Sequence, residues 1–113
     1  EEAINSVASL KANMPDLCVT AFFDKKIESL CFDDLVVLEN AHYSFRDKIM
    51  YMSRSPYEKT LFLDTDTYVC DKISELFILL DKFDIALAHA PYREIMPIPG
   101  VPNSFPEFNS GVI

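Results

Sequence analysis

Two aspartates one residue apart, Asp64 and Asp66, close the short apolar run Leu61-Phe62-Leu63. A run of that kind, bounded by polar residues, reads as a buried strand of a parallel sheet. In open α/β sheets the ligand sits beyond the carboxyl ends of the strands, which is where this acid pair falls. Neighbouring carboxylates repel unless a cation lies between them or one holds a proton. A divalent ion on oxygen ligands, with a phosphate on its far side, is the simplest resolution. Asp64 and Asp66 are therefore candidate ligands for Mn²⁺ or Mg²⁺.

Three chemistries place such a pair at the end of a strand or loop. A calcium loop of the EF-hand kind wants a ligand at its fifth position and glycine at its sixth, where this chain has Tyr68 and Val69. A phosphatase of the haloacid-dehalogenase type would use Asp64 as nucleophile and Asp66 as acid/base, with Mg²⁺ alongside. Its motif commonly carries a small hydroxyl or Val where Tyr68 stands, and commonly opens its domain. In a nucleotide-sugar glycosyltransferase the acids hold the metal that bridges the two phosphates of the donor.

The elements that must position the pair follow from periodicity and punctuation. Ile4, Val7 and Ala8 fall at helical spacing within Glu1 to Asn13, and Met14-Pro15-Asp16 stops that helix. Leu17 to Phe23 and Leu35 to Leu38 read as strands, with a short helix from Ile27 to Phe32 between them. Ser44 to Ser53 reads as an amphipathic helix carrying Phe45, Ile49 and Met52. Beyond the acids, Asp71 is placed to cap a helix bearing Ile73, Leu76, Phe77 and Leu80. Phe83 to Ala88 follows as a strand. Pro91, Pro97, Pro99, Pro102 and Pro106 make the next stretch a loop, and long loops in compact domains tend to be functional. Phe108 to Ile113 reads as a turn leading into a strand. Helices alternating with strands predict an α/β domain with a mostly parallel sheet.

The totals narrow the function classes. A chain of 113 residues makes one domain, and 50% hydrophobic content supports a packed core. The net charge of −8 argues against a nonspecific nucleic-acid binder, yet a metal and local cations would still admit an anionic nucleotide. No apolar run reaches membrane-spanning length. Cys18, Cys31 and Cys70 show no CxxC spacing, so they are expected as reduced, mostly buried thiols of a cytoplasmic domain. The start at Glu1 and the end on Gly111-Val112-Ile113 are what a fragment truncated at both ends would show. His42 is expected at the surface, and His89 as an ordinary loop or core histidine. Phe105 and Phe108 are expected in loop or core packing.

From Phe45 to Ile113 the order of motifs is more specific than any one of them. It runs Arg46-Asp47-Lys48, Ser55-Pro56-Tyr57-Glu58-Lys59, Leu61-Phe62-Leu63-Asp64-Thr65-Asp66-Thr67, Ile73-Ser74-Glu75-Leu76-Phe77 and Phe108-Asn109-Ser110-Gly111-Val112. This order resembles the GT-A fold glycosyltransferases of the glycogenin and lipopolysaccharide-galactosyltransferase type. The resemblance implies a Rossmann-like GT-A nucleotide-diphospho-sugar transferase fold, with helices on both faces of the sheet. It also implies Mn²⁺ or Mg²⁺ on Asp64 and Asp66, with Asp64 near the ribose or sugar. Lys48, and Arg46 beside it, would contact a nucleoside-diphosphate sugar, UDP-sugar foremost, while Asn109 and Ser110 lie against the donor sugar. Transfer would retain anomeric configuration, and the acceptor could be a glycan, a lipid or a protein. The family's first strand would precede Glu1 and its downstream metal-ligating histidine would follow Ile113. A non-catalytic remnant of that fold is the alternative outside enzymology.

Overall fold

The structure, a computed structural model, describes residues 1–27, 31–90, 99–102 and 104–113. Its elements in chain order are α1 (Glu2–Asn13), β1 (Thr20–Phe23), β2 (Asp34–Val37), α2 (Phe45–Met52), α3 (Leu76–Leu79), β3 (Ala88–His89) and β4 (Phe108–Asn109). No helix among the described residues is long and apolar enough to cross a membrane.

Helix α1 forms where its periodicity places it but turns a different face inward: of the expected stripe only Val7 is buried, while Ile4 is 46% exposed and Ala8 is exposed too. Helix α1 buries Ser6, Val7, Ser9 and Leu10, one stripe at helical spacing, and stops where Met14 donates its N–H back to Leu10 O at 2.8 Å. Lys11 in its last turn bonds Leu17 O at 2.7 Å and Asp33 at 2.8 Å, tying the helix to the approaches of both early strands. That ammonium, and the Val19 N–H next, hold the Asp33 carboxyl below the usual range. Strands β1 and β2 pair in parallel, Thr20 against Asp34 through Phe23 against Val37. The connection between them was expected to contain a helix. Residues 28–30 lie outside the described residues, and Cys31 and Phe32 are not helical.

Helix α2 is set by its start. Ser44 accepts from Arg46 N, while the Asp47 side chain reaches back to Ser44 N, a capping box with aspartate at the third position. Partial burial alone would push the Asp47 carboxyl up. The backbone N–H groups of His42 and Ser44 and the His42 ring outweigh it, so Asp47 lies below the usual carboxylate range.

The second half departs from its periodicity in three places. The run to Asp64 is not a buried parallel strand. It is half-buried and pairs antiparallel with the chain's last residues: Phe62 N to Ile113 O at 2.7 Å, Ile113 N to Phe62 O at 3.1 Å, Asp64 N to Gly111 O at 2.9 Å. Three apolar residues are too few to fix a strand's orientation, and Gly111-Val112-Ile113 supplies a matching apolar edge. The helix after the acids shrinks to α3. Asp71 does not cap it but accepts from Lys72 N, and Ile73-Ser74-Glu75 form tight turns. Short helices depend on tertiary packing, yet Ile78 is 63% exposed and nothing extends the helix. The strand expected from Phe83 to Ala88 reduces to β3, which pairs antiparallel with β4, because Asp84 interrupts an exposed run. Of the proline-rich stretch, residues 91–98 and 103 lie outside the described residues, and Gly100 turns at φ +85.

The capping geometry gives a checkable consequence. Ser44→Ala should destabilise the protein by about 1 kcal/mol, read by urea unfolding. Because Asp47 titrates below its unfolded value, its contribution is complete at neutral pH and lost as pH falls below about 4. Asp47→Asn should flatten that acid-side loss of helix signal in circular dichroism.

Candidate functional site: the Lys48–Asp64–Ser110 cluster

Three segments distant in sequence converge on one ammonium group. Lys48, in the first turns of α2, places Nζ 2.6 Å from Asp64 Oδ1 and 2.9 Å from Oδ2. The same nitrogen donates to Ser110 O at 3.0 Å and Ser110 Oγ at 3.2 Å. It also stands 5.4 Å from the centre of the Phe62 ring, within cation–π range. The Lys48 side chain is 15% exposed and that of Asp64 34%, so the pair is partly withdrawn from water.

Each component is fixed by its own element. Asp64 is anchored by its N–H on Gly111 O, and its carbonyl closes the Asp64–Thr67 turn at 3.1 Å. Asn109 Oδ1 accepts the Gly111 N–H at 2.7 Å, a side-chain turn that shapes the Asn-Ser-Gly bend. Space there is tight: a Cβ at position 111 would lie 3.0 Å from Asn109 Oδ1 and 3.4 Å from Asp64 Oδ2, so either side chain would have to shift to admit one. The stretch after the acids is held from the other side by α1. Val69 is 5% exposed, with its N–H on Ser9 Oγ at 2.9 Å and its carbonyl on Asn13 Nδ2 at 3.0 Å.

Of the residues proposed from sequence, Lys48, Asp64 and Ser110 are in direct contact, and Asn109 shapes the bend beside them. Asp66 sits in the exposed turn after Asp64, its carboxylate unengaged among the described residues. Arg46 is also exposed; its backbone N–H caps α2, and its guanidinium has no ion pair or hydrogen bond among the described residues. His89 stacks on Phe108 at 5.2 Å, beside the Ala88–Asn109 pairing. His42 is exposed as expected and pairs with Asp47 at 3.2 Å. Phe105 is 62% exposed rather than packed, since the proline turns around it offer no apolar wall. Cys18 and Cys70 are exposed free thiols, not buried ones, because each lies in an irregular segment, Cys18 just before β1 and Cys70 between α2 and α3.

Sequence reasoning missed four contributors. Phe62 supports the ammonium, Gly111 permits the close approach, and Ser9 with Asn13 pin Val69. The last two carried a signal: polar residues four apart on the apolar stripe of α1, where burial demands partners.

Two aspartates offer hard oxygen ligands of the kind Mg²⁺ and Mn²⁺ take, often only one or two carboxylates completed by phosphate and water. Among the described residues no group of three or more His, Cys, Asp or Glu side chains forms a fuller metal shell. The donor set therefore fits a metal brought in with a phosphate ligand better than a closed protein cage. No family model, curated protein or solved structure gives a significant match to the chain.

Partly buried pairs should couple more strongly than exposed ones. A double-mutant cycle of Lys48→Met with Asp64→Asn should return about 1–2 kcal/mol of coupling, against about 0.5 kcal/mol or less for the exposed Lys59–Asp81 pair. Gly111→Ala should displace the Asn109 side-chain amide resonance, visible by NMR, because the added Cβ crowds Asn109 Oδ1.

Proposed function

We propose that this chain is the donor-binding portion of a metal-dependent glycosyltransferase with a Rossmann-like GT-A fold. The donor is a nucleoside-diphosphate sugar, UDP-sugar foremost, and the sugar passes to an acceptor with retention of configuration. The observation that carries the reading is the convergence of Lys48, Asp64 and Ser110, residues far apart in sequence, with Asp64 and Ser110 oxygens 2.6–3.2 Å from the Lys48 ammonium. A cation, a carboxylate and an amide–hydroxyl bend within one small volume are what a diphosphate, its metal and a sugar hydroxyl each require.

In this reading Asp64 and Asp66 would hold Mn²⁺ or Mg²⁺, which would supply Lewis-acid offset of the diphosphate charge. Lys48 leaves the Asp64 carboxylate for a phosphate oxygen and so remains charge-paired in both states. Asn109 and Ser110 orient the sugar through donors and acceptors on short side chains. Arg46, exposed in the first turn of α2 and two residues before Lys48, would supply a second cation. The motif order from Phe45 to Ile113 supports the family, and the cluster supports the ligand class.

Calorimetry with UDP tests the assignment. Binding should require Mn²⁺, and Asp64→Asn or Asp66→Asn should each weaken it about tenfold or more. Binding indifferent to the metal sinks the reading. Capture of a beryllium-fluoride phosphate mimic at Asp64, without UDP binding, would favour the phosphatase chemistry instead.

Lys48→Met separates the roles further. It should tighten Mn²⁺ binding in the absence of nucleotide, because the competing ammonium is gone, yet weaken UDP binding in its presence.

A further inference from the structure

Among the described residues two that are not glycine hold a left-handed backbone, Asn40 at φ 62° and Tyr43 at φ 54°. Both fall in the short connection between β2 and α2. Asparagine visits that region because its short amide can bond the local backbone. A tyrosine does so rarely and at an energetic cost. Packing does not hold Tyr43 there, since it is 82% exposed.

Conformations of that kind persist only where surrounding contacts over-determine them. Here the contacts meet on one carboxylate. Asp47 accepts the His42 N–H on both oxygens, at 3.1 and 3.0 Å, and the Ser44 N–H at 3.3 Å. The His42 ring nitrogen Nδ1 lies 3.2 Å from the same group. His42 and Ser44 flank Tyr43, so the carboxylate grips the turn on either side of its strained residue. Upstream of His42 the connection meets α2 through the Tyr51 hydroxyl on Glu39 O, at a long 3.5 Å.

The side chain that this grip controls is Lys48. Helix α2 has eight residues, and helices that short depend on tertiary contacts. Ile49 and Met50 face solvent. The inward contacts of the helix are Tyr51, whose ring centre lies 5.9 Å from that of Phe22, and Lys48 on Asp64 and Ser110. Lys48 is the residue after Asp47 and moves with the turn that Asp47 fastens.

We propose that Asp47 is a positioning residue for Lys48. Its carboxylate acts as a latch that holds the His42–Ser44 turn in a left-handed backbone and so keeps the Lys48 ammonium on Asp64 and Ser110. With the latch open, Tyr43 returns to a relaxed backbone, the first turn of α2 shifts, and the ammonium leaves the cluster for water. This role is the same whichever ligand the cluster takes.

NMR of the lysine ammonium groups tests the latch, with Lys11 on Asp33 as the internal reference for folding. Asp47→Ala should speed exchange of the Lys48 ammonium protons with water about tenfold or more while leaving Lys11 unchanged. Adding Tyr43→Gly should restore slow exchange at Lys48, because glycine takes positive φ without strain. Ser44→Ala removes a cap of the same helix but none of the bonds to Asp47, and should leave Lys48 slow. Equal loss in Ser44→Ala, or no rescue by Tyr43→Gly, would mean that Asp47 only caps the helix, and either result overturns the proposal. Slow exchange at Lys48 in Asp47→Ala overturns it too. Should Asp47→Ala lose the Lys11 signal as well, Asp47→Asn takes its place with the same expectation, since a neutral amide accepts N–H groups more weakly than a carboxylate. Unchanged Lys48 exchange in that variant is equally fatal.

Discussion

The arrangement around the acid pair depends on one lysine nitrogen. Lys48 is a strongly hydrated cation by default, and withdrawing it from water is unfavourable unless its donors are met. Here they are met by the Asp64 carboxylate and by the carbonyl and hydroxyl of Ser110, over the face of Phe62. Because the lysine and its partners come from three segments, this single contact ties helix α2, the run before Asp64 and the C-terminal bend to one another. Few other interactions do so. The apolar core of the described residues is small, with Val7, Leu10, Tyr51 and Val69 its buried members.

Support for the site therefore comes from polar links more than from packing. Ser9 and Asn13 of α1 hold both backbone groups of Val69, and Thr20 of β1 meets the Tyr57 hydroxyl at 2.7 Å. These bonds join the early helix and strand to the segments flanking the acids across a cavity of about 760 Å³ that Lys48 and Asp64 also line.

What the sequence made legible divides along a physical line. Helices α1 and α2 were legible as elements but not in the face they bury: Met14-Pro15 stops α1 as expected, yet Ile4 of α1 and Ile49 of α2 are exposed while Tyr51 is buried, and the Ser44–Asp47 cap of α2 came only with the structure. Strands β1 and β2 followed from β-branched and aromatic runs closed by charge. Elements after the acids were misjudged because their apolar spacing found nothing to pack against. Ile78, Phe83 and Ile85 remain exposed, and pattern without a partner surface does not extend a helix or a strand. For the site, residue types were informative and orientation was not. Lys48, Asp64 and Ser110 were identifiable from their motifs, but the antiparallel pairing that brings Gly111 against Asp64 is a long-range contact with no local signature.

The electrostatic starting point also needs revising. Two adjacent acids suggested a metal because their charges must be offset, yet Asp64 is already offset by Lys48 at 2.6 Å and Asp66 lies in solvent. Mutual repulsion therefore does not by itself call for a cation. Any divalent ion at Asp64 must compete with an ammonium that has a second anchor on Ser110 and loses both contacts if displaced alone. In the proposed reading an incoming diphosphate would change that balance, because it would offer Lys48 a new anionic partner while adding ligands to the metal. On that reading the competition would favour metal and diphosphate arriving together over either arriving first. That coupling follows from the geometry of one lysine rather than from the number of acids around it.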